Sequence, residues 1–134
     1  MHEWVSLHIG QAGCQIGDVT WQLFCQEQGI GPDGIPKSDE FGRTCFGRAF
    51  FAETSHPYGR VTPRTLFVDT QPSLGVDHNP LYASQSLLSG TSGAGNIFAR
   101  GKNLELAKRA IERFAMPADN LNAFNMLYAF IQYS

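Results

Sequence analysis

The sequence predicts an α/β fold built on a parallel sheet, and three features carry that prediction. Strand-like and helix-like segments alternate along the chain, in the order strand, helix, strand, helix, strand. The first strand passes into its helix through Gly10 and Gly13. The later strands, at 65–69 and 124–131, are short apolar runs of the kind found in buried strands.

Val5, Leu7 and Ile9 alternate with Trp4, Ser6 and His8, which sets a strand over 3–9. Ile16, Val19, Thr20, Leu23 and Phe24 then recur at helical spacing and set a helix over 11–28. Gly29 and the run Gly31-Pro32-Asp33-Gly34 end it, glycine first and proline just beyond. From 31 to 62 the chain is rich in Gly, Pro, Asp and Ser and reads as a long loop, interrupted by an apolar patch at 49–52. The strand at 65–69 lies between Pro63 and Pro72, which puts Asp69 at its carboxyl end. A short helix is expected over 79–88, then a second glycine-rich loop over 89–96. Leu104, Ala107, Ile111 and Phe114 mark an amphipathic helix stopped by Pro117, and the strand at 124–131 follows.

The chain has 134 residues, the size of one domain. At 43% hydrophobic and 16% charged residues it suits a folded rather than a disordered chain. A formal net charge of −2 excludes a general nucleic-acid or anionic-membrane surface, so neither is expected as a partner. Arg100, Lys102, Lys108, Arg109 and Arg113 cluster, but Glu105 and Glu112 lie among them, as on a solvated helix face. The opening residues are not those of a signal peptide, and no run is long enough to span a membrane. Cys14, Cys25 and Cys45 are odd in number and fit free thiols in a reducing compartment. The histidines have no metal-ligand spacing.

The chemistry concentrates at three turns. At Gly10–Gly13 the first N–H groups of the helix lack intrahelical partners, and a glycine lets a ligand approach the backbone closely. An anion, above all a phosphate, suits that place. The other turns are Asp69–Pro72 and Ser92–Asn96. Two glycine loops with a strand-end carboxylate between them suggest a nucleotide pocket at the carboxyl edge of the sheet. Gln11 and Asn96 are suited to donate hydrogen bonds to phosphate or sugar, and Asp69 to hold a magnesium-bound water. Plainer readings stand beside these. The glycines make a tight turn, Asp69 caps the turn after it, and Asn96 caps a helix.

The residues at these turns and between them also carry a family resemblance. Met1-His2-Glu3, Gly10-Gln11-Ala12-Gly13-Cys14-Gln15-Ile16-Gly17, and Trp21 with Glu27, Gly29-Ile30 and Pro32-Asp33-Gly34 resemble the start of tubulins. Phe50-Phe51-Ala52-Glu53-Thr54, Pro63-Arg64, Phe67-Val68-Asp69 with Pro72, Ser92-Gly93-Ala94-Gly95-Asn96 and Ala99-Arg100-Gly101 continue the match in order. The chain is identified as a member of the tubulin superfamily, most similar to the N-terminal part of alpha-tubulin, although the loop at 92–96 has a beta-like form.

The resemblance implies a Rossmann-like parallel sheet with flanking helices, residues 1–134 forming part of a tubulin-type GTP-binding domain. It implies a cytoplasmic, cytoskeletal protein that binds GTP and Mg2+ and partners beta-tubulin or the microtubule lattice. By that resemblance Gly10, Gln11, Ala12 and Gln15 contact phosphate and magnesium, and Asp69 and Gln71 lie near the γ-phosphate and magnesium. Gly93, Ala94, Gly95 and Asn96 lie near the phosphates and ribose. Three departures qualify this. Gln71 stands where the family has an acid, which weakens the magnesium shell and leaves Asp69 to hold it through water. Glu40 stands where alpha-tubulin has an acetylated lysine. The family's GGGTGSG loop follows the strand at 124–131, where this chain has Ile131-Gln132-Tyr133-Ser134. No autonomous GTP hydrolysis and no catalytic residue are therefore expected. The alternatives are a tubulin-derived interaction module without nucleotide and, more remotely, an unrelated phosphate-binding α/β enzyme.

Overall fold

The structure, a computed structural model, describes residues 3–37, 45–55, 59–71, 74–91, 109 and 121–128, and only the backbone at 45, 46 and 121–128. In chain order the elements are strand β1 (Glu3–Ile9), helix α1 (Gly10–Glu27), short helix α2 (Cys45–Phe50), and strands β2 (Phe51–Glu53), β3 (Val61–Pro63), β4 (Thr65–Asp69), β5 (Leu87–Ser89) and β6 (Leu121–Tyr128).

Four of the strands make one sheet in the order β5-β4-β1-β6, and every pairing in it is parallel. Leu7 lies opposite Leu66 on one side and Met126 on the other, so β1 sits in the interior of the sheet. All five residues of β4 are buried, as its continuous apolar sequence requires. β2 and β3 form a separate antiparallel hairpin, joined to the sheet where Arg64 N–H donates to Phe50 O at 2.8 Å and Ser6 N–H donates to Arg64 O at 3.0 Å.

α1 begins without a break from β1. Gly10 makes the turn at φ 76°, a conformation a side chain would strain. The helix ends in a Schellman motif. Gly29 adopts φ 65°, its N–H donates to Gln26 O at 3.3 Å, and Ile30 N–H donates to Cys25 O at 2.8 Å while its side chain enters the core. The face that α1 buries is Gly13, Cys14, Gly17, Trp21 and Cys25. Ile16, Val19 and Leu23, which mark the helix in the sequence, face outward at 55%, 66% and 51% exposure. Apart from Trp21 this buried face is made of small residues, and at Gly17 the helix lies directly against the His8 ring of β1.

The core on the α1 side joins Cys14, Trp21, Cys25 and Ile30 to Phe51, Val61, Phe67, Leu74, Val76, Leu81 and Tyr82. Trp21 is its centre. Its ring meets Phe24, Phe51 and Phe50 edge-on at centroid distances of 5.5, 5.4 and 6.4 Å. These contacts dock α2 and the hairpin against α1. Leu66, Val68 and Leu88 form a second buried cluster with Leu7 beside it.

Three sequence expectations change. The helix over 79–88 is not formed. A single 3-10 turn, Ser84–Ser86, leads into β5, because Leu87 and Leu88 pair with Phe67 and Val68 and bury Leu88 completely. The stretch 31–62 carries α2, β2, most of β3 and an Ile30–Pro36 bridge, so its described parts are docked rather than free. The last strand runs over Leu121–Tyr128, about three residues earlier than its apolar pattern suggests. The amphipathic helix near 104–114 lies outside the described residues apart from Arg109, which is helical.

Candidate functional site

Parallel pairing brings the carboxyl ends of the strands to one edge. Ile9 lies opposite Val68 and Tyr128, and Asp69 lies opposite Ser89. The turn at Gly10, Asp69 at the end of β4 and the segment leaving β5 at Gly90 are thereby neighbours. Ligands of open α/β sheets bind at this edge.

The first turn of α1 presents Gly10, Gln11 and Ala12. Ile9 is the N-cap and offers no side-chain hydrogen bond, and the turn contains no acidic residue. The leading N–H groups and the positive end of the helix dipole are left for another acceptor. Gln11 and Gln15 are exposed. Asp69 is 8% exposed, and its Oδ1 accepts the Gln71 N–H at 3.2 Å, so it does cap its own turn. The Gln71 side chain is exposed. Asp69 O accepts the Gly90 N–H at 2.9 Å, and a Cβ on Gly90 would stand 2.2 Å from Thr70 O. Only glycine lets the chain after β5 lie this close to the chain after β4. Gly93, Ala94, Gly95 and Asn96 lie outside the described residues.

Beneath the edge, Cys14 ties the two strand ends. Its thiol reaches His8 O and Val68 O, each at 3.9 Å. Burial, then the charge of Asp69, pushes it up to about 12, so it stays a thiol. Cys25 is likewise raised by burial to about 11. Among the described residues no group of three metal-ligating side chains occurs.

The sequence reading missed the residues that key α1 onto β1. His8 is 1% exposed and stacks on Phe67 at 4.8 Å. Its Nε2 accepts the Trp21 Nε1–H at 3.2 Å, which leaves the imidazole proton on Nδ1. Nδ1 has no hydrogen-bond partner. A Cβ on Gly17 would come 2.4 Å from that atom. The His8/Gly17 match was visible in the sequence only as two unrelated residues, nine apart. At its outer side α1 is tied by Asp18, which accepts hydrogen bonds from Tyr82 Oη at 2.7 Å, Asn79 Nδ2 at 3.1 Å and Gln22 Nε2 at 2.8 Å. Burial and this bond raise the Tyr82 phenol far above its usual range.

Burial lowers His8 from 6.5 to about 4. The unfolded chain therefore binds the proton more readily, and the contribution is full above pH 6.5 and lost as pH falls toward 4. The expected loss is about 3 kcal/mol. Urea melts at pH 7.5 and pH 4.5 measure it. In His8→Asn, which cannot titrate, that part of the pH dependence should vanish; an unchanged slope would remove His8 as its source.

The sequence profile described as "Tubulin/FtsZ family, GTPase domain" matches residues 3–130. The chain belongs to the Tubulin/FtsZ family. Among curated tubulins, it is 35% identical to the Tubulin alpha-1 chain of Schizosaccharomyces pombe, over 97% of this chain and 32% of that one. It is 39% identical to the Tubulin alpha-1 chain of Arabidopsis thaliana, over 90% and 28%, and 34% identical to the Tubulin alpha-2 chain of Caenorhabditis elegans, over 97% and 30%. The chain thus spans about a third of the length of these tubulins. Its parallel sheet with flanking helices is the α/β, Rossmann-like architecture of the N-terminal part of the tubulin GTPase domain.

Proposed function

We propose that this tubulin-family chain is a guanine-nucleotide-binding cytoskeletal component that holds GTP without hydrolysing it on its own. The observation that carries the reading is the N-terminus of α1, which its N-cap residue Ile9 leaves without a side-chain hydrogen bond, beside Asp69, in a chain that matches the GTPase-domain profile. Gly10, Gln11 and Ala12 offer backbone N–H groups to a phosphate, and Gln11 and Gln15 add amide donors. Gly93, Ala94, Gly95 and Asn96, which follow Gly90 and Thr91 in the sequence, would add contacts to the phosphates and ribose. Magnesium fits only as a solvated ion carried by the nucleotide. Asp69 supplies one carboxylate, Gln71 supplies none, and Mg2+ readily keeps its waters. Asp69 is the one carboxylate at the described carboxyl ends and already accepts Gln71 N–H. Among the described residues no second group is placed as a base, and the reading is binding without turnover. By its likeness to alpha-tubulin chains, the partner in this reading is beta-tubulin or the microtubule lattice and the location is cytoplasmic and cytoskeletal.

A thermal melt with GTP and magnesium, with ATP as control, tests it. At about 100 times its Kd a ligand stabilises by about 2.7 kcal/mol, a shift on the order of 10 °C for a chain of this size. GTP should raise the midpoint, ATP should not, and Gln11→Ala should reduce the shift. A cooperative melt indifferent to GTP would leave instead a tubulin-derived interaction module without nucleotide, identifiable by co-sedimentation with microtubules. Magnesium-dependent GTP turnover that Gln11→Ala abolishes would overturn the non-hydrolysing part.

A further inference from the structure

Away from the sheet edge, a cleft of about 550 Å3 opens between the β2–β3 hairpin and the segment before β5, lined by Thr54, Ser55, Arg60, Thr62, Tyr82 and Ser84, with Ala83. Among the described residues its lining holds one cation, Arg60, and no carboxylate. We propose that this cleft is a binding site for a phosphoryl group carried on a small molecule.

The Arg60 side chain is fixed before any ligand arrives. Its stem and Nε cross Gly34, where a Cβ would stand 3.3 Å from both Cγ and Nε. Val61 N–H donates to Gly34 O at 2.8 Å and holds the two backbones together. One Nη2–H donates to Pro80 O. A guanidinium has five N–H donors, so most remain after that bond. No carboxylate pairs with Arg60 among the described residues, and its Nε is buried without a partner. Glu53, the carboxylate nearest in sequence, faces Arg48 at 3.9 Å instead.

The hydroxyls around it divide into spent and unspent donors. Thr54 Oγ1 donates to Arg60 O at 2.8 Å, which also fixes the turn that carries Arg60. Tyr82 Oη donates to Asp18. The hydroxyls of Ser55, Thr62 and Ser84 have no hydrogen-bond partner among the described residues and are free to turn toward an oxyanion. A pre-positioned guanidinium with three free hydroxyls matches the acceptor-only oxygens of a phosphoryl group, and the planar fork of Arg favours that geometry over a point charge. The cleft is wide enough for a substituent on the phosphate, and Tyr82 and Ala83 form part of its wall.

Amide chemical-shift titration of the 134-residue chain with inorganic phosphate and with phenyl phosphate tests the site. At about 10 mM ligand, tenfold above a millimolar Kd, both should give saturable shifts at residues 54, 55, 62 and 84, with phenyl phosphate the tighter. Arg60→Gln should weaken binding at least about tenfold, and Arg60→Lys should weaken it less. Thr62→Val, which leaves the Arg60 contacts intact, should weaken it severalfold and serves if Arg60→Gln unfolds. Saturable shifts confined to Gly10–Gly13 would place phosphate at the nucleotide edge and overturn the cleft site. Shifts at the cleft that Arg60→Gln and Thr62→Val leave unchanged would overturn it equally.

Discussion

Trp21→Ala should remove about 3–5 kcal/mol of stability, the usual cost of truncating a fully buried tryptophan. Trp21 is 1% exposed and meets Phe24, Phe50 and Phe51, so its loss opens a cavity where α1, α2 and the hairpin converge. It also strips His8 Nε2 of its donor, in an imidazole whose Nδ1 is already without a partner. Trp21→Phe separates the two effects. It restores most of the packing and leaves the orphaned Nε2, so about 1–3 kcal/mol should still be missing. Urea unfolding of the three proteins at pH 7.5 measures this. If Trp21→Phe were as stable as the parent, the His8 hydrogen bond would contribute nothing. An ordinary domain has about 5–15 kcal/mol in total, so Trp21→Ala approaches the limit of a folded chain.

Breaking the Glu3–Arg64 pair should cost a similar amount, about 3–5 kcal/mol. Glu3 Oε1 and Arg64 Nη2 are 2.8 Å apart, with side chains 9% and 10% exposed. The pair joins the start of β1 to the β3–β4 junction, where Arg64 Nε also donates to Arg48 O at 3.4 Å. Glu3→Leu leaves a buried guanidinium without this carboxylate. The double variant Glu3→Leu/Arg64→Met removes both charges and should recover most of the loss, because burying an ion pair carries a desolvation cost that apolar groups avoid. A double-mutant cycle from denaturant midpoints gives the coupling. Additive losses would show that the two charges act independently despite their distance.

The sequence made β1, α1 and β4 legible because each carries a local pattern with the period or the apolar run of its element. Alternation set β1 at Glu3–Ile9, and the apolar run ending at Asp69 set β4. The turn glycines were legible for the same local reason, since Gly10 and Gly29 hold positive φ that the sequence signals directly. β5 was not legible. A three-residue strand has no period of its own, and only pairing with Phe67–Asp69 makes it a strand. The buried face of α1 was misleading in the same way. Ile16, Val19 and Leu23 supply the periodic signal, yet Gly13, Cys14 and Gly17 face the sheet, because a close helix–sheet approach selects for small size rather than for hydrophobicity.

Local pattern alone thus determined that the chain is α/β, that a glycine turn joins its first strand to its helix, that Asp69 ends a strand, and which family it belongs to. Tertiary structure decided what those residues face. It set Asp69 beside Gly10 through the β1–β4 register, slid His8 under Gly17, paired Glu3 with Arg64, and left Arg60 in a cleft with no carboxylate among its described lining residues. The physical reason is range. Turn and strand preferences act over a few residues, whereas Glu3 and Arg64 lie 61 positions apart and meet only because parallel pairing brings their strands together.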